Sequence, residues 1–382
     1  MLSVTARTRP GHPWVFSNEI ISPAVSALPP GGAVEVRDAK GNFLGRGYAN
    51  PHSLISVRMY ANERDDIDDS AFYVARLTAA LDLRKRVLPT RRSYRLCAGE
   101  ADRLPGLIID RYEDVVSVQM TTLGMDQRAE LVRSALTEVI APAGAVLRND
   151  VPLRHLEALP LTAGVWFGDV PEKVAFEENG IRFEADLVHG QKTGFFFDQA
   201  DNRAFMSARC RDARVLDVYA HLGGWALAGM AGGAREAMAI ESSAAACAMI
   251  RRNAELNGTT VTVLDADARE AMDGMPARTF DVVAVDPPAF AKTRKTAGAA
   301  LHLYKQVNAS GLRLVADGGL FFTSSCSHHI QAERFEETVL HAGRQAGRRV
   351  TLVRRGGQAP DHPILPGVPE TEYLKHLVFV VR

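Results

Sequence analysis

From Arg214 to Glu241 the chain runs through an apolar stretch without alternation, a pair of glycines (Gly223, Gly224), a series of small residues, and a second apolar stretch that stops at an acid. Strand, glycine turn, small-residue helix and strand form a βαβ unit, and the ligand of such a unit sits outside the carboxyl ends of its strands. The pattern continues downstream. It predicts helices over 242–256, 301–315 and 332–346, and strands over 261–265, 281–286, 320–325, 350–354 and 376–381. The 281–286 run again lacks alternation, as expected of a parallel strand covered on both faces. The expected architecture is an α/β fold, Rossmann-like, with a seven-stranded doubly wound sheet whose last strand inserts antiparallel.

Upstream the strands are shorter. Runs at 33–38, 43–49 and 53–59, separated by Gly, Pro and Asn turns, mark a small β domain over 1–65. Trp14 and Phe16 are expected in its core, with Arg7, Arg9 and His12 as surface residues able to meet phosphate. The acidic run 63–69 is expected to cap a helix over 70–87. Strands at 107–110, 115–121 and 145–149 surround a helix over 125–140, giving a central small α/β module over 66–177. Its Asp102, Arg103, Asp110 and Arg111 are expected to pair on the surface or to tie down turns. Asn179-Gly180 predicts a type I′ hairpin within 173–187, which opens a C-terminal domain over 178–382.

Composition narrows the partners. With 46% hydrophobic and 24% charged residues among 382, the chain is an ordinary folded one. No apolar run approaches the roughly 18 residues of a membrane span, and the first residues lack a signal-peptide core, so no membrane partner is expected. Cys97, Cys210, Cys247 and Cys326 are widely spaced. That argues against a disulfide framework or any metal site and for a cytoplasmic location. The net charge is zero, so any nucleic-acid binding has to come from local patches. Arg84, Lys85, Arg86, Arg91, Arg92 and Arg95 place six cations in twelve residues without an acid. Phosphate contact is one reading of them; compensation of a helix macrodipole is the other.

The candidate chemistry lies at the strand ends. A dinucleotide turn needs G-x-G-x-x-G spacing, and only Gly223 and Gly224 are present. Asp217 beside them would repel a phosphate but can hold an ammonium group. Glu241 falls about 20 residues on, where a ribose-diol ligand is expected. An adenosine that carries an ammonium and no phosphate is S-adenosylmethionine. Asp267, after the third strand, is expected to accept from the adenine amine, with Tyr219, Gly223 and Ala268 as further cofactor contacts. The 189–199 loop, with Lys192, Thr193, Phe195 and Asp198, is expected to start a cofactor lid. Asp286-Pro287-Pro288, followed by Phe290, forms a rigid exit turn facing the reacting base. Amine methyltransferases place an aromatic directly after the prolines; here Ala289 occupies that position. Cys326 lies among polar residues one strand away, whereas the other three cysteines suit a core. A thiolate adding to cytosine C6 would raise electron density at C5, with Asp286 holding the base and His328 or His329 as proton acceptors.

Together GHPWVFSNEI, GQKTGFFFDQ, VLDVYAHLGGWAL, DPPAF, SCS and DHPILPGVPETEYLKHL resemble the bacterial 23S rRNA 5-methylcytosine methyltransferases with an N-terminal PUA domain, over essentially the whole chain. The resemblance implies a PUA-like RNA-binding domain, a central module, a class I methyltransferase domain, S-adenosylmethionine as cofactor, rRNA as partner and Cys326 as nucleophile. His221 stands where a threonine-like residue is expected, and Ala289 where a lysine is usual. Two other readings stay open. One is an exocyclic-amine methyltransferase, such as a guanine N2 enzyme, that leaves Cys326 idle. The other is a non-catalytic RNA-binding or ribosome-assembly protein. A dehydrogenase is disfavoured by the missing third glycine, and a homodimer is left open.

Overall fold

A computed structural model describes residues 1–9, 11–61, 65–190, 193–291 and 293–382. The chain divides into two compact units. One comprises Met1–Phe176, Asp186–Phe195 and Pro360–Thr371, and the other Glu177–Ala185, Phe196–Ala359 and Glu372–Arg382.

The first unit opens with a six-stranded sheet. Its strands lie in the order Trp14–Phe16, Ile55–Ala61, Phe43–Ala49, Ala33–Arg37, Leu2–Ala6 and Ile20–Ser22. Leu2–Ala6, Trp14–Phe16 and Ile20–Ser22 go unpredicted because runs of three to five residues are too short to establish a period. Val4, Val15, Val34, Val36 and Val57 form its core. Trp14 and Phe16 are only half-buried, contrary to expectation. The Trp14 indole N–H donates to Glu100 at 2.9 Å, and the Arg58 guanidinium lies over its ring. A ring that keeps its N–H bonded and its face on a cation does not need full burial. His12, expected at the surface, is buried.

Helix Ser70–Val87 begins at Asp69, whose side chain accepts from the Ala71 N–H. It buries Phe72, Tyr73, Leu77 and Leu81 in a second core. That core also covers a five-stranded sheet ordered Thr162–Gly168, Gly144–Asn149, Val115–Met120, Leu107–Tyr112 and Tyr94–Ala98. The helix expected over 125–140 breaks into Leu123–Asp126 and Ala129–Ile140. Asp102 and Asp110 are not surface groups. Their carboxylates are buried and take bidentate bonds from Arg84 and Arg95. Arg84 also donates to the Asp361 carbonyl at 2.7 Å, and the Arg95 N–H donates to the Asp361 carboxylate at 2.9 Å. These bonds explain why a segment distant in sequence belongs to this unit.

The second unit holds the predicted seven-stranded sheet: β1 (Arg214–Val218), β2 (Glu236–Glu241), β3 (Thr262–Asp265), β4 (Phe280–Val285), β5 (Val315–Ser325), β6 (Val350–Gly356) and β7 (Lys375–Val381). The order is β3-β2-β1-β4-β5-β7-β6, parallel throughout except for β7, which inserts antiparallel between β5 and β6. Leu216, Val218, Ile240, Val283, Val285 and Phe321 fill the core on these strands. The hairpin Val174–Glu178/Ile181–Ala185 turns at Asn179 and Gly180, with φ of +53° and +80°, the left-handed pair that a type I′ turn requires. Its Glu178 forms a buried bidentate pair with Arg203, both bonds at 2.7 Å.

Candidate active site

Because β1 to β4 are parallel and adjacent, their carboxyl ends share one edge. Asp217 lies in β1, Glu241 ends β2, Asp267 follows β3 and Asp286 follows β4. Between β1 and the helix Gly224–Ala231 the turn is tight: Tyr219, His221 and Gly223 all have positive φ, of 66°, 52° and 80°. Histidine visits this region more readily than most side chains. The turn uses the His221 backbone, whose N–H donates to Glu241 at 2.9 Å, while its ring packs edge-on against Phe196.

Glu241 also accepts from the N–H groups of Ser242 and Ser243 at 2.9 and 3.0 Å, so its two oxygens fix the loops on both sides. A carboxylate has about four lone-pair sites, which leaves room for a further donor. Asp217 is fully buried. One oxygen accepts from the Ala226 N–H at 2.9 Å, and the other has no partner among the described residues. Burial pushes its carboxyl up to about 7, against the pull of the Ala226 bond. An orphaned buried carboxylate oxygen is costly unless a ligand donates to it, and it suits the ammonium of S-adenosylmethionine. Asp267 is exposed and caps the helix Ala268–Gly274 with Oδ1 only, accepting from Arg269 and Glu270. Ala268 is a buried core residue, so only its backbone can face a ligand. Half-buried Tyr219 meets Phe290 edge-on, and burial raises its hydroxyl to about 12.

Asp286 is half-buried and held by two side chains that the sequence did not single out. Trp225 Nε1 and Gln199 Nε2 both donate to its Oδ2, at 3.2 and 3.1 Å. Burial, and then the neighbouring Asp198 carboxylate, raise Asp286 to about 6. Gln199 also donates to Ser324, which bonds to the ring of His376, and His376 stacks on Trp225 at 5.5 Å. Burial lowers His376 to about 3, so the stack is neutral. Gln199 lies in the GQKTGFFFDQ run and Trp225 in the glycine turn, so both were visible as motif letters without a role. Asp198 accepts from the Tyr373 hydroxyl at 2.7 Å, and its other oxygen has no partner among the described residues. Pro287 is buried and Pro288 exposed. Phe290 packs on Tyr304 at 4.7 Å, which commits one face of its ring to the core.

Cys326 directly follows β5, half-buried, while Cys97, Cys210 and Cys247 are buried. Lys375, on β7, donates to the Ser327 carbonyl beside it. Thr193 and Phe195 belong to the first unit. There the Thr193 carbonyl accepts from the Tyr112 hydroxyl and Phe195 packs on Phe176. Lys192 lies outside the described residues. The expected basic patch is smaller than its sequence suggests, because Arg84 is fully buried in its bonds to Asp102 and Asp361. Lys85, Arg86 and Arg92 are exposed and Arg91 half-buried, with Arg92 2.7 Å from Glu113. Among the described residues no cluster of His, Cys, Asp and Glu could hold a metal ion, and no helix is long and apolar enough to cross a membrane.

Comparison with known proteins bears on the family and the fold. A family model described as a PUA-like domain matches residues 3–62, and one described as S-adenosylmethionine-dependent methyltransferase matches residues 100–379. The chain is 35% identical over 374 residues to a ribosomal RNA large subunit methyltransferase I of Alteromonas mediterranea, covering 96% of this chain and 94% of the relative. Among solved structures, a putative SAM-dependent methyltransferase from Streptococcus mutans matches over the full length of both chains at 18% identity, with a TM-score of 0.83. A second, a putative methyltransferase complexed with SAH, matches likewise with a TM-score of 0.84. The cofactor is S-adenosylmethionine, and the chain belongs to the family of S-adenosylmethionine-dependent methyltransferases, with a PUA-like domain at its N-terminal end.

Proposed function

We propose that this methyltransferase acts on large-subunit (23S) rRNA and methylates C5 of a cytosine through a covalent bond from Cys326 to C6. The observation that carries this reading is the position of Cys326. It stands at the carboxyl end of β5, one strand from Asp286 after β4, on the edge that also carries Asp217, Glu241 and Asp267. The names of the relatives support rRNA as the substrate.

In this reading Asp217 holds the cofactor's ammonium, Glu241 its ribose hydroxyls and Asp267 its adenine amine. The cofactor supplies an electrophilic methyl group. Cytosine C5 is a poor nucleophile, and the task of Cys326 is to improve it. Its thiolate adds to C6, and the displaced electron pair makes C5 carbanion-like. Once C5 carries the methyl, a base removes the C5 proton. The electron pair left behind re-forms the C5–C6 double bond and expels the thiolate. Asp286, raised to about 6, can accept from N4 as a carboxylate or donate to N3 as an acid. The orientation imposed by Trp225 and Gln199 sets which edge of the base it meets.

Incubation with S-adenosylmethionine and an rRNA fragment containing 5-fluorocytidine, which has no C5 proton to lose, tests the route. A covalent protein–RNA complex should accumulate and disappear in Cys326→Ala. Methyl transfer that persists in Cys326→Ala without any trapped complex would overturn the route in favour of amine methylation at the Asp-Pro-Pro loop.

A further inference from the structure

β7 runs antiparallel to β5 with Lys375 opposite Ser325, the residue before Cys326. From that register the Lys375 side chain reaches the turn after β5, and its Nζ donates to the carbonyls of Ser327 and Tyr373, both at 2.7 Å. An ammonium has three donors. Among the described residues, two fix its position here. The cysteine lies in sequence between the register partner of Lys375 and one of its hydrogen-bond acceptors, and the Cys326 thiol is within Coulombic reach of the ammonium.

We propose that Lys375 is a positioning residue whose ammonium, fixed by two carbonyls, holds Cys326 as the reactive thiolate. The proposal rests on the reading of Cys326 as nucleophile for its catalytic meaning, but not for its physical content. Without a cation beside it, a cysteine is only a few per cent ionised at neutral pH, and an opposite charge within about 4–6 Å lowers a thiol by roughly 1–3 units. Among the described residues, Glu372, Tyr304 and His328 are other titratable groups here. Glu372 is exposed and attracts the same ammonium more weakly. Tyr304 faces the thiol but is kept neutral by burial, and His328 packs on Tyr373. Burial draws Lys375 down to about 8, so it stays mostly charged at neutral pH.

The test is the pH dependence of iodoacetamide alkylation at Cys326 in the full chain, read by mass on the peptide that contains it; the other three cysteines are buried. Lys375→Met should raise the midpoint by about 1–2 units, which slows alkylation at pH 7 by about tenfold or more, and Lys375→Arg should restore the low midpoint. S-adenosylmethionine binding, followed by calorimetry, reports an intact fold. If Lys375→Met loses that binding, Lys375→Gln, which keeps a donor for the Ser327 carbonyl, provides the same comparison. An unchanged midpoint in a variant that still binds the cofactor overturns the proposal. Alkylation needs no RNA, so a negative 5-fluorocytidine trap with a Lys375-dependent midpoint would refute only the nucleophile reading. A positive trap with an unchanged midpoint would refute only the role of Lys375.

Discussion

Asp217 illustrates how a single carboxyl serves two demands. Its bonded oxygen closes the turn through Ala226, and its unpartnered oxygen faces no protein donor among the described residues. Because burial raises it to about 7, the folded protein keeps this proton to higher pH than the unfolded chain. Folding stability therefore falls as pH rises from about 4 to about 7, and this contribution is level above that. Asp217→Asn retains an acceptor for Ala226 but cannot ionise. Urea unfolding of the two cofactor-free proteins between pH 4 and pH 8 should show the difference moving in the variant's favour by about 4 kcal/mol. The same variant should bind S-adenosylmethionine at least about tenfold more weakly, through loss of a charged hydrogen bond. Equal pH slopes in the two proteins would contradict this account. Asp286, raised to about 6, adds to the wild-type slope with the same sign.

Among the elements, the turn from Tyr219 to Gly223 carries the most constraint. Three left-handed residues are held by Glu241, by the Ile240 carbonyl and by the Ala220 carbonyl. Gly223 itself caps the following helix at φ +80°, and an added Cβ would stand 3.0 Å from Ile250. Gly258, at φ +63°, has nothing within 4 Å of an added Cβ. Gly258→Ala should then cost about 1 kcal/mol of backbone strain alone. Gly223→Ala should cost more, about 2 kcal/mol, and should also weaken cofactor binding. Denaturant midpoints with and without S-adenosylmethionine separate the two, and equal costs would show that the Ile250 contact relaxes freely. The double-glycine turn was recognisable from its letters. The bond from Glu241 to the His221 backbone was not, because a side chain that reaches the main chain of another strand leaves no trace in local periodicity.

Across the whole molecule, charge divides into structural and available groups. Arg84, 0% exposed, joins Asp102 and Asp361, and removing it leaves buried acceptors and a carboxylate unmatched. Arg84→Ala should destabilise the protein by about 3–5 kcal/mol. Single alanine variants of Lys85, Arg86 and Arg92 should stay within about 0.5 kcal/mol of wild type. If these exposed residues meet rRNA phosphates, each replacement should reduce the slope of log affinity against log salt by about 0.7–0.9; an unchanged slope would remove them from the interface.

The sequence alone determined the succession of the seven strands in the second unit, the carboxyl edge with its acids, the Asn179-Gly180 turn and the cap at Asp69. Each depends on a local pattern: an apolar run, a period, or a residue whose backbone preference is intrinsic. Tertiary structure alone decided which partners these residues meet. It placed Arg84 inside and His12 out of solvent, brought Trp225 and Gln199 onto Asp286, and set the register of β7 so that Lys375 reaches the turn of Cys326. Those outcomes depend on register and on contacts between residues tens to hundreds of positions apart, set by the packing of the complete sheets and not by any window of the chain.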